Sequence, residues 1–285
     1  MLLKVAVVLS LILVGFAVAI AGASRSWTGA TRALDDELTE SVGAGEAFTS
    51  DELPEPVARY AARAISPDAA PIAVARIGQE GSFQMGDGED GWCPFVATEV
   101  MRVVEPGFYW DATIRMAPLL DVRVRDSYLP GRAGMVGKIL GLVTVLDAAD
   151  EPALRGGALS RYLAEAVWIP TRLVSGPGLT WTPVDERTAD ATLEDRGTTV
   201  TLRFTFDEDG DPIEVFGIRA REVDGTYVDT PWIGRFRDHA ERGGYRIPIY
   251  GEVAWVIDGE ERPYWRGTVT SVEFVAVSGI GSSDD

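Results

Sequence analysis

The sequence predicts a mainly β fold of the α+β class: a large curved antiparallel sheet or open half-barrel that wraps a central helix, with an N-terminal transmembrane or signal helix. Apolar residues recur at every second position through most of the chain beyond residue 70, which is typical of half-buried strands. Short turns containing Asp and Gly separate the later runs, as β-hairpins require. Residues 154–170 instead have a helical period, which predicts the single central helix.

The composition allows a substantial hydrophobic core and excludes wholesale disorder. The chain has 285 residues, 46% of them hydrophobic, and its 44 acidic and 26 basic residues give a net charge of −18. Nucleic acid is therefore excluded as a partner, because phosphate backbones are bound through Lys and Arg. This acidic excess, with only two lysines, is typical of halophilic proteins. An ordinary acidic domain is the alternative.

Residues 1–23 form the predicted membrane anchor or signal peptide. After Lys4, the run Val5–Gly22 contains 18 residues without a charge, close to the shortest length that crosses a bilayer. Ala19–Ala21 and Ala21–Ala23 both fit a signal-peptidase site, so cleavage is the competing interpretation. With Lys4 on the cytoplasmic side, the main domain is expected to be extracytoplasmic at the cell membrane, or secreted after cleavage.

Three further segments complete the predicted domain organisation. Residues 24–52 are small, polar and acidic, which predicts a tether with a marginal helix around 33–42. A short helix over 53–65, with prolines at its start and alanines in its body, opens a single β-rich domain at 53–277. Residues 278–285 are a predicted disordered tail.

The predicted strands follow the alternation of apolar and polar residues. In 107–117 one face of the strand is apolar: Phe108, Trp110, Ala112, Ile114 and Met116. The segment 120–128 alternates in the same way, so these two strands are predicted to be neighbours. The remaining predicted strands cover 73–85, 97–105, 135–146, 179–183, 188–194, 198–207, 212–222, 226–238, 245–257 and 265–277.

The central helix is predicted from an apolar stripe at helical spacing: Leu159, Tyr162, Leu163, Ala166 and Val167. Gly156 and Gly157 are expected to delay its start, because glycine loses the most backbone freedom in a helix. Pro170 is expected to end it. A lone helix with so wide a stripe is unstable, so the sheet must cover it.

No catalytic residue, metal site or cofactor is predicted, and the sequence favours a protein that is not an enzyme. His239, the only histidine, is expected to be solvated near a strand end, and the lone Cys93 has no evident base. Residues 131–139 resemble a phosphate loop, but the glycine spacing is one residue too long. The acidic turn at 207–211 does not have the glycine and glutamate positions of a calcium loop.

Arg115, Arg123 and Arg125 are the first candidate ligand-binding group. They share the polar face of two neighbouring predicted strands, and in so acidic a chain they are suited to an anionic headgroup or carboxylate. The alternative is surface ion pairing with Asp111 and Asp121.

Trp110, Tyr162 and Trp168 are the second candidate ligand-binding group. They are expected at the junction of sheet and helix, where they would line an apolar cavity. The alternative is a filled core.

Several long runs in the sequence resemble an uncharacterised family of bacterial and archaeal proteins known as a domain of unknown function. The resemblance covers roughly residues 53–276 and brings no activity with it. The runs that carry it are Trp110–Pro118, Arg161–Pro170, Pro231–Phe236, Gly251–Trp255 and Pro263–Gly267.

A more distant resemblance concerns Gly244–Pro248 and the long strands that follow. This part is similar to the C-terminal part of lipoprotein carriers of the LolA and LppX type. The resemblance implies a half-barrel whose concave face, covered by helices, holds acyl chains.

The leading hypothesis is therefore a membrane-tethered or exported binding protein for a lipid-like or other apolar small molecule. An extracytoplasmic hydrolase that uses carboxylates is the second hypothesis, and a structural interaction protein of the cell envelope is the third. A cavity beside the helix would favour the binding protein. Two acidic residues that converge in a solvent-filled cleft would favour the hydrolase, and a large exposed apolar patch would favour the interaction protein.

Overall fold

A computed structural model describes residues 1–40, 53–86, 88 and 91–276. The helices are α1 (Leu2–Thr39), α2 (Glu55–Ala64), α3 (Pro152–Glu165) and α4 (Pro170–Val174), with a 3₁₀ turn at Ala166–Trp168 between the last two. The first strands are β1 (Ile72–Gln84), β2 (Trp92–Arg102), β3 (Gly107–Ala117), β4 (Leu120–Leu129), β5 (Arg132–Ile139) and β6 (Val143–Ala148). The later strands are β7 (Leu179–Pro183), β8 (Thr188–Asp195), β9 (Thr198–Phe206), β10 (Pro212–Val223), β11 (Thr226–Arg237), β12 (Ala240–Arg242), β13 (Tyr245–Ile247), β14 (Tyr250–Ile257) and β15 (Glu260–Ala276).

One antiparallel sheet of 13 strands makes up most of the molecule, in the order β6-β5-β4-β3-β2-β1-β15-β14-β11-β10-β9-β8-β7. Most neighbours are consecutive hairpin strands, because short turns favour local antiparallel pairing. The long pairing of β1 with β15 joins the two halves of this meander. Among the described residues β6 and β7 remain the edges, so the sheet is not closed, and the predicted open half-barrel is confirmed.

The central helix lies in the hollow of this sheet, as predicted. Helix α3 contacts β4 and β5 in one half of the sheet and β9 and β10 in the other. Leu159, Tyr162 and Val167 are fully buried along its stripe. The concave side chains of the strands and this stripe together form the main hydrophobic core.

Several predicted elements differ from the structure: the predicted strand 97–105 is observed at 92–102, and the predicted strand 245–257 is observed as β13 and β14. Helix α3 begins at Pro152, because proline is well suited to a first helical turn and neither Gly156 nor Gly157 prevents continuation of the packed helix. After Pro170 the chain forms α4, since proline is equally suited to start a new helix. The predicted strand 135–146 is two strands, separated by a turn at residues 140–142.

The N-terminal helix is much longer than predicted. Helix α1 is continuous from Leu2 to Thr39, so residues 24–39 are helical throughout, whereas a tether with only a marginal helix around 33–42 was expected. Its second half packs on the convex face of the sheet, where Trp27 is 5% exposed and Leu38 is fully buried. The rest of that predicted tether (41–52) and the predicted tail (278–285) lie outside the described residues.

Helix α1 also contains a segment apolar enough to cross a membrane. Within Ala6–Thr39 an 18-residue window has a mean hydropathy of 2.6, and none of it is buried in the protein. A helix of this kind serves either as a membrane anchor or as a signal sequence.

Candidate functional site

The two predicted binding groups lie on opposite faces of the sheet and do not form one site. Trp110, Tyr162 and Trp168 are all buried on the concave side. Arg125 lies on the convex side, where its guanidinium donates to the Trp27 carbonyl oxygen of α1 at 3.2 Å. Alternation along β3 and β4 places Arg115 and Arg123 on that same convex face.

The concave aromatic side chains pack against one another along the sheet. The ring centroids of Trp168 and Trp265 are 6.4 Å apart, and Trp265 stacks on Phe95 at 5.9 Å. Phe95 in turn meets the edge of Trp110 at 5.6 Å. The indole N–H of Trp168 donates to the Pro248 carbonyl oxygen at 3.0 Å, so the ring is held in place at both its apolar face and its polar edge.

A small cavity lies beside this aromatic row, between the 3₁₀ turn and strands β11, β14 and β15. Its volume is ≈ 20 Å³, which is room for about one water molecule. A Cβ placed on Gly251 would lie 3.3 Å from Trp265 and 3.6 Å from Trp168, so glycine keeps this space open. The apolar lining is Ala164, Trp168, Trp232, Phe236, Val253 and Trp265, and the polar lining is Arg161, Glu165 and Glu252.

A buried charge cluster connects α3 to the sheet directly beside the cavity. The Arg161 guanidinium is 2.8 Å from a carboxylate oxygen of Asp126 on β4 and 3.0 Å from Glu165 on its own helix. It lies 3.7 Å from Glu99 on β2 and above the Trp110 ring, 5.1 Å from the centroid. One cation is therefore surrounded by three acidic side chains in a largely dry environment.

Glu99 is the most deeply buried carboxyl group of this cluster. The side chain is fully buried, and its Oε2 accepts a hydrogen bond from the Gln79 amide nitrogen at 2.9 Å. The Gln79 amide oxygen accepts from the Trp110 indole N–H at 2.8 Å, which fixes the orientation of the amide. Burial first, and then the negative charge of Glu165, raises the pKa of Glu99 well above its usual range, although Arg161 acts in the opposite direction.

Sequence reasoning did not identify Glu99 or Gln79, although one signal was available. Glu99 occupies an inward position on β2, between the apolar Ala97 and Met101, and Gln79 follows the inward Ile77 on β1. A polar residue in the middle of an apolar face indicates a buried polar contact. Its partner Arg161 comes from a helix about 60 residues away in sequence, which alternation alone does not reveal.

The convex arginines are only partly explained by surface ion pairing. Arg115 lies 3.5 Å from Asp121, as the pairing alternative predicts. Asp111, however, accepts hydrogen bonds from Trp27 and Thr31 of α1. The predicted arginine face is thus partly the surface on which α1 packs.

His239 and the acidic turn at 207–211 both make contacts within the protein. His239 is not solvated as expected, because its side chain is 7% exposed and lies 4.0 Å from the Asp211 carboxylate. Burial, the largest effect, lowers the pKa of His239, so the imidazole is neutral near pH 7. Asp207 accepts hydrogen bonds from the backbone N–H groups of Asp209 and Asp211, which makes this segment an acidic hairpin turn.

Comparisons with known structures and proteins identify distant similarities. The chain is similar to a LolA superfamily protein from Nitrosomonas europaea, with 8% identity, 80% of this chain and 94% of that chain covered, and a TM-score of 0.36. It is also similar to a β-barrel-like protein of a domain of unknown function, DUF1849, from Brucella abortus, with 14% identity, coverage of 73% and 100%, and a TM-score of 0.29. No curated protein matches the chain.

The resemblance to an uncharacterised family, first noted from five sequence runs, is confirmed by a family model. That model matches residues 51–274, which is nearly all of the sheet and its enclosed helices. The chain belongs to the family of unknown function DUF6920.

Proposed function

We propose that the protein is anchored in a membrane by α1 and binds a lipid-like or other apolar ligand on the concave side of its half-barrel. The observation that carries this proposal is the cavity beside Trp168, which has an aromatic wall and a charged end. Apolar pockets with a few converging polar groups are the usual form of small-molecule sites. In this arrangement the apolar part of the ligand packs against the tryptophans, and its polar head meets Arg161 and Glu165.

The ligand must displace part of the helical segment, because the cavity of ≈ 20 Å³ is far smaller than an acyl chain. The 3₁₀ turn at Ala166–Trp168 lies between α3 and α4. It is the segment that moves most easily, because the hydrogen bonds of a 3₁₀ turn have poorer geometry than those of an α-helix. A ligand that binds only the displaced form shifts the population towards it. The Trp168 indole would then leave Pro248 and pack on the ligand.

The membrane part of the proposal rests on α1. The apolar half of α1 continues without interruption into the half that packs on the sheet through Trp27 and Leu38. One helix therefore connects the proposed membrane segment to the domain. An intact mass measurement on protein purified from membranes tests this. A mass that includes Met1 or Leu2 supports an anchor, and a mass that begins near Ser24 shows cleavage.

The ligand proposal is tested by purifying the full chain from membranes in mild detergent, extracting it with organic solvent and analysing the extract by mass spectrometry. We expect one class of apolar molecule in stoichiometric amount. The Gly251→Leu variant should lose it, because the added side chain fills the space between Trp168 and Trp265. Gly29→Leu is the matched control, since a Cβ at Gly29 meets nothing within 4 Å.

A second variant protects the test against misfolding. Val253 is partly exposed at the edge of the cavity, so Val253→Trp should block ligand binding while Gly251 stays unchanged. Both variants are compared with the wild type by thermal unfolding. An empty wild-type protein, or equal ligand content in all folded variants, would contradict the proposal.

A hydrolase remains the second candidate function because two carboxyl groups, Glu99 and Glu165, interact beside the cavity. A general acid with a raised pKa is a feature of such enzymes. Glu99 is fully buried, however, so a substrate could reach only Glu165. Hydrolysis of ester or glycoside substrates that is abolished by Glu165→Gln would favour the hydrolase. A protein that contains bound lipid and hydrolyses none of these substrates would favour the binding protein.

A further inference from the structure

We propose that two adjacent hairpin tips of the half-barrel insert into the interface of the bilayer that α1 enters. The tips are the β3–β4 turn and the β5–β6 turn, and their exposed apolar side chains are here called the apolar rim: Met116, Leu119, Leu120, Leu142, Val143 and Val145. The inference rests on the proposed retention of α1 in the membrane, and it is independent of any ligand.

The turn chemistry of the rim is the first argument. Leu119 has a φ of 66° and Leu140 a φ of 50°, in the left-handed region that a leucine adopts only at a cost. Leu119 is also 94% exposed, so its side chain does not pack against the described part of the protein. A partner outside the described protein explains why leucine occupies this position.

The other hairpins of the same sheet provide an internal comparison. Their two-residue turns all contain glycine and none contains leucine: Pro130–Gly131, Arg196–Gly197, Asp224–Gly225 and Asp258–Gly259. Every non-glycine residue with a positive φ in these four turns is polar, and left-handed turn positions favour glycine and polar residues such as Asp. Only the two tips beside α1 place leucine at such positions among the described residues.

The position of the rim relative to α1 is the second argument. A Cβ on Gly141 would lie 3.5 Å from the Ala23 side chain, so the β5–β6 turn touches α1 just after its uncharged run ends. The N–H of Leu140 donates to the carbonyl oxygen of Asp121 at 2.8 Å, which holds the β3–β4 tip next to the β5–β6 tip. Both tips therefore lie where α1 leaves the domain.

The direction of α1 places the rim at membrane depth. Leu38 of α1 lies beside Gly107 at the start of β3, and Ala23 lies beside Gly141 in the β5–β6 tip. Followed from Leu38 to Ala23, α1 therefore points in the same direction as β3, which runs from Gly107 towards its own turn. The uncharged run at 5–22 spans ~27 Å at ~1.5 Å per residue, which matches the hydrocarbon core of ~30 Å. With that run in the bilayer, Ala23 is at the interface, and Leu119 lies beyond it on the membrane side.

Charge complementarity is the third argument. Arg115, Arg123 and Lys138 lie on the convex face of β3, β4 and β5 near the rim, and Arg123 and Lys138 are cross-strand partners. Lys138 is one of only two lysines in a chain of net charge −18. A chain this acidic is repelled by anionic lipids except where its basic residues cluster, so this face is the one that can approach headgroup phosphates.

The test uses the full chain in proteoliposomes. Leu119→Cys in a Cys93→Ala background is labelled with an environment-sensitive fluorophore, and lipids brominated near the headgroup serve as quenchers. We expect a blue-shifted and strongly quenched signal. Ile218→Cys is the matched control, because Ile218 is an exposed apolar residue on β10, away from α1, and its label should remain unquenched.

Additional arms identify the occupant of the rim. Arg123→Gln combined with Lys138→Gln should reduce the additional quenching that anionic lipid produces, and salt should do the same. A blue shift that depends on protein concentration and not on brominated lipid would assign the rim to a second copy or a protein partner and would overturn the inference. If α1 resists alkaline carbonate extraction, an unquenched Leu119 label would also overturn the inference. If alkaline carbonate extracts the chain from the membrane, the membrane anchor itself is refuted.

Discussion

Replacement of Trp27 by alanine should release the second half of α1 from the sheet. The Trp27 indole is 5% exposed, and its N–H is shared between the two carboxylate oxygens of Asp111 at 2.9 and 3.0 Å. The Arg125 guanidinium covers the ring at 4.5 Å from its centroid. One side chain thus makes an apolar, a charge-assisted and a cation–π contact with the convex face.

The magnitude follows from these contacts. Truncating a buried tryptophan to alanine costs ~3–5 kcal/mol, and water can enter this surface site, so we expect the lower end, about 3 kcal/mol. Trp27→Phe keeps most of the ring but loses the hydrogen bonds to the Asp111 carboxylate. The loss of a hydrogen bond to a charged group costs ~1.5–3 kcal/mol. At about 1.4 kcal/mol per factor of ten, the alanine variant should open the helix about a hundredfold more often.

Hydrogen exchange of the backbone amides at residues 24–39 measures this opening directly, since local release need not unfold the sheet. We expect faster exchange in the order wild type, Trp27→Phe, Trp27→Ala. Thr28→Ala is the control, because Thr28 is exposed on the same turn of α1. If these amides exchange as slowly in Trp27→Ala as in the wild type, the helix is not held by this contact and our account of its packing is wrong.

Three further predictions concern buried charges. Because the pKa of Glu99 is raised in the folded state, its contribution to stability is present below the usual carboxyl range and is lost as the pH rises; urea unfolding of Glu99→Gln should therefore depend less on pH, and unchanged dependence would contradict the assignment. Burial acts against the charged form of Asp211, but hydrogen bonds from Arg246 and Arg63 lower its pKa overall, so Asp211→Asn should lose ~1–3 kcal/mol at neutral pH and little in acid, as measured by the same method. Arg161→Met should cost ~3–5 kcal/mol in thermal or urea unfolding, because it leaves buried carboxylates without a cation, and an added Asp126→Asn should recover part of the loss.

Alternation was sufficient to predict most of the sheet. The observed bounds of β3 are those predicted, and β4, β8 and β9 differ by a residue, because each buries one face and exposes the other. The prediction merged β5 and β6 because the turn at residues 140–142 has a single glycine flanked by two leucines, so the apolar character of the run continues through the turn. Leu142 of this turn is one of the exposed residues of the apolar rim.

The packing of α1 and the charge cluster could not be predicted in the same way. Trp27, Leu34 and Leu38 fall on one face of a helix, but acidic residues between them gave the segment the composition of a tether. Arg161 lies off the apolar stripe of α3, and yet its side chain is only 17% exposed in the structure. A helix enclosed by both halves of a sheet has no fully wet face, and that enclosure is a property of the tertiary fold.

The ligand proposal and the rim proposal share one surface. Met116 and Val143 of the rim lie on the concave side of their strands, in line with Ile139, Val122 and Ile114, so the apolar floor continues from the rim into the core. A lipid leaving the bilayer beside α1 would meet this floor without crossing water.

Loading from a membrane should therefore depend on the rim, whereas binding from detergent should not. The Leu119→Asn and Val143→Asn double variant is expected to take up a fluorescent lipid more slowly from proteoliposome membranes and to hold the same amount after incubation in mixed micelles. The control is Ile218→Asn, which removes an equally exposed apolar side chain far from α1. Equal uptake rates in all three proteins would separate the two proposals, because the concave site would then be filled by a route that does not pass the rim.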